Sequence, residues 1–381
     1  MRISEEFFEA EKKDWLKSSE IGNVIVVGKT GVGKSTLINS FIGKEFAQTG
    51  VGEPITQSLT SYQSELVPLQ LYDTRGLELD NKVQSKIRKE IFSEIKNSTP
   101  LKRLKGEDKK IDVCWYCLDS TIGRIEDTDI EWIDALSLEL PVIVVLTKAY
   151  PRKKARLFLD ELERMYLNCK KIVPVYAKEY KENGEVYIHT HGLEELCSAT
   201  YDFLPEKIQN HLMYCPMLSR EKKILELNNT LAYYLNGHVF FSYDYFSSLQ
   251  LCRVIEEVLS MSSYIANTLG ITFDYVEANS LLCSLIDENG LSDNSEQLIR
   301  ALLNLLSIEI PDERKSFYKS WEIKALMWVL IYSYLTTCDK VLSKISQGID
   351  INFNEIKMIY KSQFLKGCEI NCIYCQNSDI T

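Results

Sequence analysis

Over the first half of the chain, short apolar runs rich in β-branched residues alternate with stretches of helical periodicity. Asn23–Val27, Leu69–Tyr72, Val113–Leu118, Val142–Leu146 and Ile172–Val175 read as strands, with helical patterns between them and a last helix over Leu193–Leu204, closed by Pro205. Such alternation predicts an α/β unit: a mainly parallel sheet covered on both faces. Beyond Pro205 the strand signal nearly vanishes. Leu218–Leu235, Tyr245–Leu269, Ser295–Leu306, Lys319–Leu342 and Asn354–Leu365 all carry helical spacing. The expected organisation is an amphipathic segment over 1–19, an α/β domain over 20–205, an all-α domain over 206–366 and a cysteine-containing tail over 367–381.

Composition narrows the function classes. The 381 residues carry a net charge of -10, so no general electrostatic attraction to nucleic acid or to an anionic membrane is expected. One local run, Lys102, Arg103, Lys105, Lys109 and Lys110, is interrupted by Glu107 and Asp108 and reads as a solvated loop. Eleven cysteines are scattered through predicted strands and helices, not spaced as in a small secreted scaffold, and the amino-terminal segment has no signal-peptide run. A cytoplasmic location with reduced thiols is therefore expected. The apolar window Ala325–Leu335 is shorter than the roughly 20 residues a bilayer requires and reads as a core helix, so no transmembrane segment is expected.

The chemistry gathers where the first strand ends. Gly28-Lys29-Thr30-Gly31-Val32-Gly33-Lys34-Ser35 has the spacing G-x-x-x-x-G-K-S between a strand and a helix that begins near Thr36. Glycines allow successive backbone N–H groups to turn inward around phosphate oxygens, and the helix presents its positive end to them. Lys34 supplies a point charge to the β- and γ-phosphates, and the Ser35 hydroxyl suits Mg²⁺. Asp73-Thr-Arg-Gly76 follows the strand Leu69–Tyr72, which would deliver Asp73 beside that magnesium and the Gly76 N–H beside the γ-phosphate. Between the two motifs, the polar stretch Gln48–Ser61 reads as a mobile loop. Within it Thr56 is the candidate to complete the metal shell, with Thr60 as its competitor.

The order of these three motifs resembles the translation-factor-related P-loop GTPases, in particular the Era-like branch, over about half of the chain. The resemblance implies a Ras-like α/β fold, GTP and GDP as ligands, Mg²⁺ as cofactor and two loops that order around the γ-phosphate. It also implies two base-recognition motifs. The first, normally Asn or Thr, Lys, any residue, Asp, stands here as Thr147-Lys148-Ala149-Tyr150. Tyr150 replaces the carboxylate that would accept from guanine N1–H and the 2-amino group, which leaves ATP or loose purine selectivity as the alternative. The second, normally Ser-Ala-Lys, is Tyr176-Ala177-Lys178, in which Ala177 retains its backbone N–H for the base. Leu77 stands where Ras-type proteins carry a water-positioning Gln, and Gly31 where some relatives bind potassium through Asn. Slow intrinsic hydrolysis follows, to be accelerated by a protein partner, by self-association, or by Arg75 or Gln57. The runs Asp112–Asp119, Arg124–Asp127 and Pro141–Lys148 resemble a bacterial Era-like subgroup with an α-helical tail; Trp115 among them reads as core.

Two further patterns stand apart. His189 and His191 alternate in Tyr187–Gly192 and read as a surface turn before the last α/β helix. Cys368, Cys372 and Cys375 have the C-x3-C-x2-C spacing that resembles the cluster loop of radical S-adenosylmethionine enzymes, without the barrel that surrounds such a cluster. The expected protein is a switch whose nucleotide state controls its helical domain, with an unidentified activator. A scaffold with negligible turnover and a ribosome- or RNA-associated factor are the rivals; the acidic charge speaks against the last.

Overall fold

The computed structural model describes residues 21–43, 53–56, 59–64, 67–74, 89, 91–93, 95, 110–182, 185–237, 245–271, 275–285, 299, 301–303 and 317–378. They divide into two compact units between Ser219 and Arg220. The expected amino-terminal segment 1–19 and most of the basic run 102–110 lie outside the described residues.

The first unit is built on a seven-stranded sheet: β1 (Gly22–Gly28), β2 (Glu53–Thr56), β3 (Leu59–Gln63), β4 (Leu69–Thr74), β5 (Val113–Asp119), β6 (Val142–Thr147) and β7 (Lys171–Pro174). Their order is β2-β3-β4-β1-β5-β6-β7. Strands β4, β1, β5, β6 and β7 run parallel, whereas β2 and β3 extend the sheet antiparallel. The helices are α1 (Lys34–Ile42), α2 (Asp127–Ser137), α3 (Arg152–Arg164), α4 (Leu193–Tyr201) and α5 (Glu206–Met213), with a separate hairpin of β8 (Tyr180–Glu182) and β9 (Glu185–Ile188). This is the α/β unit that the strand pattern predicts, in the Ras-like form that the resemblance implies.

The central strands are apolar on both faces because both are covered. Ile25, Val27, Cys114, Tyr116, Val144 and Leu146 share one core with Trp132, Ile133 and Leu136 of α2 and Phe158, Leu159 and Leu162 of α3. On the opposite face Trp115 meets Phe41 of α1, ring centroids 4.8 Å apart, and its indole N–H donates to the Thr200 hydroxyl of α4 at 3.0 Å. A buried indole of this kind needs a partner for its one donor. Trp115 is thus a core residue.

Part of the stretch expected to be a mobile loop is sheet. Residues 53–56 and 59–63 form β2 and β3, and β3 places Thr60 directly across from Asp73 of β4. Within LTSYQ, Leu59, Ser61 and Tyr62 are buried, Thr60 is half-buried and Gln63 is exposed, because β3 lies between β2 and β4.

The second unit is helical: α6 (Arg220–Gly237), α7 (Ser248–Leu269), α8 (Tyr275–Cys283), α9 (Ser320–Ser346) and α10 (Phe353–Ser378), with a two-stranded ribbon of β10 (Tyr245–Ser247) and β11 (Phe317–Lys319). The window Ala325–Leu335 lies in α9 and is largely buried. Among the described residues no helix is long and apolar enough to cross a membrane. Helix α10 packs on α9: Tyr360 meets Tyr334 edge-on at 6.4 Å, and a Cβ at Gly367 would lie 3.1 Å from Val329 Cγ1. The Lys223 ammonium at the start of α6 donates to the Thr268 carbonyl at the end of α7 at 3.0 Å, and Arg220 pairs with Asp339 of α9 at 3.3 Å. The expected cysteine tail is mostly helix, because α10 continues through Cys368, Cys372 and Cys375; Cys368 is buried.

Candidate functional site

The carboxyl ends of β1, β4, β5 and β6 meet at the edge of the sheet where the loop 28–35 stands. This is where an open parallel sheet places its ligand crevice. Gly28, Gly31 and Gly33 all have positive φ, at 151°, 79° and 105°. The reason differs by position. A Cβ at Gly28 would lie 2.6 Å from the Cys117 carbonyl oxygen, so β5 approaches the loop too closely for any side chain, whereas a Cβ at Gly31 would meet nothing within 4 Å.

Side chains hold the loop's carbonyls. The Lys34 ammonium donates to the Gly28 carbonyl at 2.8 Å and the Lys29 carbonyl at 3.0 Å. The Lys148 ammonium donates to the Gly31 carbonyl at 2.8 Å, and the Thr147 hydroxyl donates to the Val32 and Leu118 carbonyls. With these acceptors engaged, the loop's amide groups are the ones left for an anion, as a phosphate cradle requires.

Charge is concentrated and buried. Lys34 is 7% exposed. Burial lowers its pKa, opposed by Cys117 and Asp73. Across from it Asp73 is pushed up to about 6 by burial, against the pull of Lys34. The buried Asp73 Oδ1 meets no hydrogen-bond partner among the described residues. Its neighbour Thr74 anchors this end of β4 by donating to the Val26 carbonyl at 2.8 Å. A buried carboxylate oxygen with nothing to accept from suits a hard cation, and Ser35 at the start of α1 is a second oxygen donor of the right type. The residues present therefore fit magnesium. Thr56 ends β2 opposite Leu59 in β3, with its side chain outside the described residues; Gly76, Arg75, Leu77 and Gln57 also lie outside them. Val32 is buried, Thr36 is half-buried in α1, and Thr30 stands at the tip of the loop.

Three acidic residues escape the motif reading. Lys29 points out of the loop, pairing with Asp129 at 2.7 Å and Glu126 at 2.9 Å at the start of α2. Burial lowers the Lys29 pKa, but these two carboxylates outweigh it and the net shift is upward. Asp129 is 3% exposed and also accepts from the Tyr116 hydroxyl at 2.9 Å. The spacing of Glu126 and Asp129 at a helix start is a capping signal, which hides their role toward a loop far away in sequence. Asp119, at the end of β5, accepts from Lys148 at 2.6 Å, from the Thr121 amide at 2.9 Å and from the Thr121 hydroxyl at 2.6 Å. Burial raises the Asp119 pKa, but these bonds prevail and hold it below the usual value.

Beyond β6 the chain turns sharply. Lys148 has φ 53°, its carbonyl accepts from the Ser120 hydroxyl at 2.9 Å, and the Ala149 amide donates to the Val175 carbonyl at 3.1 Å. Ala177 comes to the same edge, its carbonyl accepting from Ser40 of α1 at 2.6 Å. Thr147 and Lys148 are thus bonded to the phosphate loop itself, and Ala177 is tied to the helix that follows it.

Residues 23–148 match the model of a family described as 50S ribosome-binding GTPase. Those residues form a P-loop GTPase domain. The chain is similar to GTPase Era of Aquifex aeolicus (strain VF5), 26% identical over 195 residues covering 49% of this chain and 58% of that protein. It is also similar to GTPase Der of Clostridium botulinum (strain Langeland / NCTC 10281 / Type F), 30% identical over 146 residues covering 38% of this chain and 31% of that protein. The chain therefore spans less than two thirds of the length of either curated relative. A solved structure of a probable GTP-binding protein engB matches at 23% identity and a TM-score of 0.32, covering 48% of this chain and 98% of that one.

Proposed function

We propose that this chain is a magnesium-dependent GTP-binding protein that hydrolyses GTP slowly on its own and uses its nucleotide state to control the helical unit. The observation that carries the reading is the pairing of buried Lys34, tied into the phosphate loop, with the unpartnered Asp73 oxygen across from it. In this reading the expected α/β domain, 20–205, binds the nucleotide, and the helical unit that begins at Arg220 responds to it.

The loop residues Gly28–Ser35 and Thr36 hold the phosphates through backbone amides and the amino end of α1. The Lys34 ammonium neutralises β- and γ-phosphate charge, exchanging its present carbonyl acceptors for phosphate oxygens. Ser35, Asp73 and Thr56 would hold the magnesium, whose positive charge offsets the charge that develops on the β–γ bridge during hydrolysis. Gly76 would offer its amide to the γ-phosphate. Thr147, Lys148 and Ala177 would position the base. Slow turnover rests on Leu77, which has no group to orient the attacking water. GTP and GDP are the proposed ligands; a protein activator or self-association would supply the missing acceleration. A cytoplasmic location is part of the same proposal.

Binding of GTP, GDP and ATP with magnesium, measured on the purified chain and on Lys34→Ala with phosphate release followed in the same samples, tests the reading. Guanine-nucleotide binding lost in Lys34→Ala, with slow release, is expected; absence of binding in the parent chain would refute it.

The matched family description favours a second reading, in which the partner is the ribosome. Co-sedimentation of the GTP-loaded chain with 50S subunits over a salt series checks it, and sedimentation that ignores both nucleotide and salt would count against it.

A further inference from the structure

At the position where the resembled family carries its base-reading carboxylate, the chain presents an aromatic group. Tyr150 is 45% exposed and its ring centroid lies 5.9 Å from that of Tyr176, the residue just before Ala177. Tyr176 in turn stacks on His191, with centroids 5.9 Å apart and planes inclined by 25°. The Tyr176 and His191 backbones exchange two hydrogen bonds of 3.0 Å, which hold both rings against the loop that carries Ala177. Gly192 locks that geometry, since a Cβ there would fall 2.1 Å from the Pro174 carbonyl oxygen.

The nearby carboxylate is already engaged elsewhere. Asp119 already accepts at Oδ2 from Lys148 and at Oδ1 from Thr121, and both bonds belong to the scaffold of the loop. An exposed phenol beside a stacked pair offers a flat, polarisable surface. Aromatic faces of this type hold bases through their π-surface and tolerate changes at the base edge. Burial, with Arg152 adding to it, pushes the His191 pKa down, so the imidazole backs Tyr176 as a neutral ring at physiological pH.

We propose that Tyr150, supported by Tyr176 and His191, holds the nucleotide's base by stacking, so that the site selects a 6-oxopurine through the Ala177 amide without reading the 2-amino group. The inference rests on the nucleotide-binding reading above and specifies its base. Guanine and hypoxanthine nucleotides then bind alike, while an adenine nucleotide turns its 6-amino donor toward the Ala177 donor and binds more weakly.

Calorimetric titration of the full chain with GDP, IDP and ADP in magnesium, repeated on Tyr150→Phe and Tyr150→Ala, tests this. The expected result is GDP and IDP within about 3-fold of each other and ADP at least about 10-fold weaker, since a lost or mismatched buried hydrogen bond shifts affinity by about that factor. Tyr150→Phe should retain both affinities, and Tyr150→Ala should weaken GDP and IDP equally, by about 10-fold, as expected for the loss of one stacking face. GDP bound at least about 10-fold more tightly than IDP would overturn the inference while leaving the nucleotide reading intact. A comparable loss in Tyr150→Phe would overturn it too, by assigning the recognition to the hydroxyl. If neither GDP nor IDP binds the parent chain, the nucleotide-binding reading fails and the inference with it.

Discussion

Replacing Asp73 with Asn should make the metal-free protein more stable while disabling the site. The Asp73 carboxyl is raised from 3.8 to about 6 by burial, with Lys34 only partly offsetting the cost. At pH 7 the folded chain therefore holds a charge in a place that favours the neutral acid. A difference of this size corresponds to about 3 kcal/mol of folding stability forgone. The sign follows from linkage: the folded state binds the proton more tightly than the unfolded chain, so stability is highest at low pH and falls as pH rises between 3.8 and about 6. Asn, a neutral isostere, escapes the penalty at every pH. Thermal unfolding in EDTA without nucleotide should show Asp73→Asn melting about 6 to 12 °C above the parent at pH 7. The gap should shrink below pH 6 and close near pH 4. With magnesium and GDP the order should reverse, because only the parent gains the full stabilisation of ligand bound to the folded state. An Asn variant that melts at or below the parent in EDTA, or a gap that does not change with pH, would refute the reasoning by showing that the carboxylate is already satisfied.

Other substitutions separate packing from chemistry. Gly28→Ala should destabilise the first unit by about 2 to 4 kcal/mol, because its Cβ meets a backbone carbonyl at 2.6 Å, whereas Gly31→Ala, with open space, should cost only about 1 kcal/mol of backbone strain; denaturant titration of both variants checks the contrast. Asp129→Ala strips Lys29 of its closest carboxylate and Tyr116 of its acceptor, and a loss of about 3 kcal/mol in the same titration is expected. Thr200→Val leaves the Trp115 indole N–H without its acceptor and should lower stability by about 1 to 3 kcal/mol without changing nucleotide affinity, measured by unfolding and titration in parallel.

Strand β1, the glycine loop and α1 are legible in the sequence because each is set by near neighbours: an apolar run, glycines at fixed spacing and a helical stripe. The same holds for β5 and β6, whose apolar runs exceed what an exposed strand would carry, and for the long helices of the second unit. The antiparallel pair β2 and β3 is not legible in this way. Its mostly polar residues become a strand only by pairing with β4, and short polar strands resemble loops locally. The ribbon of β10 and β11 depends on an even more distant pairing, between Tyr245 and Lys319. The grip on Lys29 by Glu126 and Asp129 and the engagement of Asp119 by Lys148 escape for the same reason: the partners are distant in sequence and meet only once the sheet has formed. The cysteine spacing after Gly367 suggests a loop when taken as a motif, but helical pattern continues through it and α10 extends across all three positions.

The way β6 is stitched to the phosphate loop bears on where this chain can be altered. Thr147 and Lys148 each donate a hydrogen bond to a carbonyl of the loop, so altering either one would also disturb the loop's shape. Tyr150 lies two residues farther on, half in water, with its ring turned toward Tyr176. In the proposed nucleotide reading, a substitution at Tyr150 would leave the hydrogen bonds of the loop in place, which makes it the first position to vary in a redesign of base preference.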